Sequence, residues 1–100
     1  MDSDIPDLSI ADVVVSTAGR DTGELFYVIK TEGEYLLLAN GKDRTIDKPK
    51  RKKLKHTNKV LRPETRIADK IKNGDRVLNS ELRRDRACLS REMQSKPLGG

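Results

Sequence analysis

Between residues 8 and 58 the apolar positions come in short runs broken by polar, glycine-containing stretches, the rhythm of strands and turns. Leu8 to Ser16 predicts a first strand. Its three consecutive valines are stiff at χ1 and suit a pleated backbone, with Val13 and Val15 on one face and Val14 on the other. Residues 17–23 contain Gly19 and Gly23 and predict a structured loop that those glycines turn. Glu24 to Lys30 predicts a second strand, apolar on both faces; Glu32-Gly33 predicts a tight turn, and Glu34 to Ala39 a third strand. Asn40-Gly41 suits a type I′ hairpin, so a short fourth strand is expected over Lys42 to Ile46. Pro49 belongs at an edge or connection, and Lys52 to Thr57 predicts a fifth strand with Leu54 inward between lysines.

After residue 58 the period becomes helical. Arg62-Pro63-Glu64-Thr65 predicts a helix start with Pro near its first position; Ile67 and Ile71 follow at i, i+4, and Asn73-Gly74 predicts the stop. Asn79-Ser80-Glu81 predicts a second N-cap, and Leu78, Leu82 and Leu89 make a thin apolar stripe among Arg83, Arg84, Arg86 and Arg91. A stripe of that width docks weakly on a barrel or waits for a partner. The expected organisation is a loose acidic leader over 1–7, a mainly β unit over 8–58 and a basic, partly helical extension over 59–100, disordered at its end. Five short strands in this order suit an SH3-like barrel.

Asp12 to Ile29 resembles a KOW motif, the strand–Gly-loop–strand element of ribosomal proteins and NusG-type transcription factors. Arg44-Thr45-Ile46, then Lys48-Pro49-Lys50-Arg51-Lys52-Lys53-Leu54-Lys55-His56, resembles the basic closing strand of archaeal and eukaryotic large-subunit ribosomal proteins of the KOW class. The chain is most similar to the small bacterial RNA-binding proteins of that class, over roughly residues 8–58. This resemblance implies that Phe26 and Val28 are buried, that the 17–23 loop presents Arg20 and backbone N–H groups to RNA, and that His56 touches RNA or stacks on a base. The alternative at the loop is that its glycines only turn the chain while Arg20 and Asp21 pair locally.

Charge sharpens the picture. Residues 1–47 carry four Lys/Arg against ten Asp/Glu, a balance of −6, whereas residues 48–100 carry seventeen against six, a balance of +11. Such asymmetry points to an anionic partner met from one side, whether nucleic acid, membrane surface or acidic protein. Lys48, Lys50, Arg51, Lys52, Lys53 and Lys55 stand together without an acid, and Lys59 and Arg62 extend the run. A phosphate backbone would relieve their mutual repulsion; a solvated edge strand kept from aggregating by its lysines is the plainer reading. Arg83, Arg84 and Arg86 form a possible extension, or a solvated helix face paired with Glu81 and Asp85. Tyr27 and Tyr35 are expected to be structural rather than stacking platforms.

With 34% hydrophobic residues the core is small, and only part of the chain is expected to fill it. Cys88 is the sole cysteine, which excludes an intrachain disulfide and a cysteine-cluster metal site. One His and scattered carboxylates supply no catalytic or metal-ligand constellation, so neither an enzyme nor a cofactor is expected. No signal peptide or apolar span is seen, and the expected location is cytoplasmic.

The expectation is therefore a non-catalytic RNA-binding protein, monomeric when free, that meets ribosomal RNA on or near the large subunit. The acidic barrel half, Asp12, Asp21, Glu24, Glu32, Glu34, Asp43 and Asp47, suits a peripheral or transient binder. The alternative is a protein-interaction module that grips a translation or transcription factor through the barrel and the Leu78/Leu82/Leu89 helix.

Overall fold

The computed structural model describes residues 8–95; the expected acidic leader over 1–7 and the chain end over 96–100 lie outside the described residues. The strands are β1 Val13–Ser16, β2 Leu25–Glu32, β3 Tyr35–Ala39, β4 Lys50–Lys53 and β5 Thr57–Leu61. A 3₁₀ turn, Leu54–His56, joins β4 to β5, and two helices follow, α1 Arg66–Asn73 and α2 Asn79–Ser95. The sheet is antiparallel throughout in the order β4-β3-β2-β1-β5, so β1 pairs with both β2 and β5. This is a mainly β, barrel-like fold with two helices.

The expected fourth strand over 42–46 does not form. Asn40 is buried, and its side-chain carbonyl accepts the Lys42 and Arg44 N–H groups at 2.9 and 3.0 Å. The side chain thus organises a bend where the dipeptide pattern predicted a hairpin turn, and the ladder resumes only at Lys50. The expected fifth strand over 52–57 divides accordingly: Lys52 and Lys53 end β4, Leu54–His56 forms the 3₁₀ turn, and Thr57 opens β5. The sheet continues to Leu61 rather than stopping at 58, and Pro49 sits just before the edge strand β4.

Each sheet face carries an apolar core. Val14, Phe26, Val28, Leu36 and Leu38 fill the inside of the curved sheet, as expected for Phe26 and Val28, with Leu54 packed against them. Val13, Tyr27 and Ala39 point the other way and meet Ile67 of α1 and Leu82 and Leu89 of α2. The alternation of Val13 and Val14 thus serves two cores. A register shift between Val28 and Lys30 inserts an extra residue at Ile29. The bulge lets Ile29 join the helix-side core and leaves Lys30 opposite Leu37.

The helices do not trail from the sheet. Thr65 caps α1 by accepting the Ala68 N–H, and Pro63 is buried in the connection before it. Gly74 ends the helix: its N–H reaches the Ile71 carbonyl while the Asp75 N–H reaches that of Lys70, a Schellman arrangement. At α2 the expected cap is displaced. The Leu78 carbonyl starts the helix, and Glu81 reaches back to the Leu78 N–H. Asn79 instead accepts the Ile46 N–H at 2.9 Å and ties the 40–47 bend to the helix. Leu78 leaves the predicted stripe and is 52% exposed.

Candidate nucleic-acid interface

Strand β4 displays its basic run on two faces, because side chains alternate along a strand. Lys50 and Lys52 pair with Leu38 and Leu36, the positions that face the barrel interior, while Arg51 and Lys53 pair with Leu37 and Tyr35 on the outer face. The inward pair is engaged. Lys50 Nζ donates to Asp21 Oδ2 at 2.5 Å, and Lys52 Nζ donates to Asp21 Oδ1 at 3.1 Å and to the Ala18 carbonyl at 2.8 Å. Ser16 Oγ adds a hydrogen bond to Asp21 Oδ1 at 2.7 Å. Burial of Asp21 opposes its charge, but the hydrogen bonds from Lys50, Ser16 and Lys52 more than offset it and hold the carboxyl well below the usual range.

Asp21 therefore staples the 17–23 loop to β4. Gly19 and Gly23 turn that loop at φ +88° and +92°, as expected of them. Arg20 is exposed at its tip, beside Asp21, with no ion pair to it. Arg20 and Asp21 do not pair locally; the acid faces the lysines and the guanidinium faces solvent. Arg20 also lines a cleft of about 350 Å³ with Glu24, Asp43, Arg44 and Lys50, of mixed charge.

A second carboxylate, this one buried, takes up part of the other end of the run. Ala11, at φ +80°, turns the chain so that the Asp12 side chain is fully buried. Arg62 grips it through Nε at 2.9 Å and Nη2 at 3.2 Å, Lys59 stands at 3.9 Å, and the Ser9 N–H donates at 2.9 Å. Burial again works against the charge, yet the Arg62 hydrogen bonds, the Ser9 N–H and the nearby cations bring the carboxyl below its ordinary value. Lys59 and Arg62 thus carry structural contacts whatever else they meet.

The helix arginines divide similarly. Arg83 Nη1 donates to the Gly41 carbonyl at 2.7 Å, and Arg86 Nε donates to the Leu25 carbonyl at 3.0 Å with Glu24 at 3.7 Å. Their expected acidic partners are used elsewhere: Glu81 pairs with Lys70 at 3.1 Å, and Asp85 accepts the buried Tyr27 hydroxyl. Burial, reinforced by the Asp85 carboxylate, pushes the Tyr27 phenol well above its ordinary range. Arg84 is exposed.

Lys48, Lys53 and Lys55 are exposed, and no ion pair engages them among the described residues. With Arg20 and the outward Arg51 they are the cations on this side that can turn to a partner. His56 is half-buried in the 3₁₀ turn, where its carbonyl accepts the Thr17 N–H at 2.9 Å. Arg51 lies over the Tyr35 ring at 4.0 Å from its centroid, with Glu32 at 3.9 Å. Sequence reasoning named Arg51, weighed Asp21 only as a local partner of Arg20, and assigned no role to Lys30. An acid between two glycines, followed in the chain by a basic strand, was the signal for Asp21; Lys30 gave none, because its facing depends on the bulge.

Among the described residues no three His, Cys, Asp or Glu side chains come together in a way that could hold a metal ion, and no helix is long and apolar enough to cross a membrane. No protein-family model and no curated protein matches this chain.

Proposed function

We propose that this protein is a non-catalytic RNA-binding module with an SH3-like barrel of the KOW kind, which meets structured RNA, ribosomal RNA foremost, through the outward cations around β4. The strand order β4-β3-β2-β1-β5, with a 3₁₀ turn before the last strand, supports the barrel reading. The single observation that carries the functional reading is the cluster Lys48, Arg51, Lys53 and Lys55, exposed on an edge strand and its flanks while the lysines between them are fixed inward. Arg20 adds a second edge from the stapled loop. The apolar stripe on which a protein-docking helix would depend has Leu82 and Leu89 buried against the sheet, which withdraws its support.

Recognition is by backbone and shape, since double-helical RNA hides its base edges in a deep, narrow major groove. About five phosphate contacts give a slope of roughly −4.5 for log K against log[salt] on a duplex. The test is co-sedimentation with ribosomal subunits across a salt series, beside a variant carrying Lys48→Glu, Lys53→Glu and Lys55→Glu. These positions avoid Lys50 and Lys52, whose reversal would break the loop staple. Salt-sensitive binding to the large subunit that the variant loses is expected; binding indifferent to both salt and charge reversal would sink the reading.

A further inference from the structure

We infer that the outer face of β3 and β4 is a platform for one unpaired nucleobase, with the Arg51–Tyr35 stack as its surface and Lys30 and Lys53 as flanking phosphate contacts. The inference rests on the RNA reading above and narrows the ligand to a strand with at least one base out of helical pairing.

Strand register puts the group on one face. Tyr35 lies between Glu32 of β2 and Lys53 of β4, and Leu37 lies between Lys30 and Arg51. The bulge at Ile29 is what keeps Lys30 on this side. The helices cover Val13, Tyr27 and Ala39, but Tyr35 and Leu37 are outside that core and only half-buried. The uncovered area thus has an apolar floor with three cations, Lys30, Arg51 and Lys53, against one acid, Glu32. That charge balance selects an anionic ligand.

The stack selects a planar one. Arg51 Cζ lies over the Tyr35 ring, and its side chain is 61% exposed. A guanidinium is flat and can stack a second π-face on its exposed side, whereas an ammonium meets a ring only as a point charge. Glu32 at 3.9 Å limits where the plane can swing. A strand edge that only had to stay soluble would need charge without a planar cation lying over a ring. A regular duplex keeps its base faces stacked inside the helix, so only a single strand, loop or bulge can fill this position.

The protein lacks tryptophan and has two tyrosines, of which Tyr27 is buried, so its emission can report Tyr35 directly. The full chain is titrated with an oligouridylate of about twelve nucleotides, within the usual span of a single-strand site, and with an RNA duplex of equal length. Single strand is expected to quench the emission, and duplex to leave it. Arg51→Lys retains the charge and should weaken single-strand binding about tenfold, the order of one stacked base, with the salt slope and the duplex affinity unchanged. Tyr35→Leu should abolish the quenching.

Equal effects of Arg51→Lys on both RNAs, no effect on either, or quenching that persists in Tyr35→Leu would overturn the platform while leaving the RNA reading intact. Failure of both RNAs to bind would overturn the two together.

Discussion

Asp21 holds two ammonium groups on one carboxylate, and Lys52 is only 8% exposed, so removing the negative charge leaves a lysine with little water to turn to. Asp21→Asn is expected to cost about 2–4 kcal/mol in urea unfolding and to free the 17–23 loop, weakening RNA binding through a disordered Arg20. The pH response follows from the direction of the shifts. Folded Asp12 and Asp21 titrate below their unfolded value of 3.8, so below that value the unfolded chain binds protons that the folded chain refuses. Their contribution is complete above about pH 5 and is lost as pH falls from there through the folded values. The urea midpoint should therefore hold between about pH 7 and 5 on their account and drop below about pH 4, with a shallower drop in Asp21→Asn. A midpoint that stays level down to pH 3 would remove these pairs from the stability of the fold. Sequence reading located the turning glycines and the outward Arg20, yet it could not see that Asp21 faces β4, because that partnership joins residues 29 and 31 positions apart.

Among the elements, the start of α2 and the 40–47 bend are built as one piece. Asn79 holds the Ile46 N–H, Arg83 holds the Gly41 carbonyl, and a Cβ on Gly41 would stand 2.5 Å from the Asn79 carbonyl oxygen. Gly41 also has φ +81°, which a side chain resists. Gly41→Ala should thus cost about 2–4 kcal/mol from left-handed strain and overpacking together, read as a lower melting temperature; an unchanged melt would mean that α2 does not close on this bend. The strands over 13–16, 25–32 and 35–39 were legible because their valine and leucine runs alternate between cores. The segment 42–57 was not. Asn40-Gly41 favours a hairpin locally, but Asn40 is held by a bend, and a run of lysines looks the same whether it makes one strand or a strand and a 3₁₀ turn.

For the whole molecule, the opposed charges of its halves are partly settled internally. Asp12, Asp21, Glu24 and Glu32 of the acidic half pair with Arg62, Lys50, Lys52, Arg86 and Arg51 of the basic half, so charge asymmetry along a chain overstates the charge left for a partner. The helices likewise belong to the core rather than to a loose extension: a chain cut after Glu64 uncovers Val13, Tyr27 and Ala39 and should lose its cooperative melt and bind a hydrophobic dye, whereas an independent barrel would melt unchanged. The thin leucine stripe hid this, since two buried leucines suffice when Tyr27 donates its hydroxyl to Asp85 beside them. The place of β1 between β2 and β5 has a kinetic meaning as well. Its pairing with β2 closes a short loop, but its pairing with β5 joins Val15 to Asn58 and must gather every strand between them. The hairpins are free to flicker early; the sheet gains a settled far edge only when that long closure succeeds, so β1–β5 docking is expected to set the folding rate.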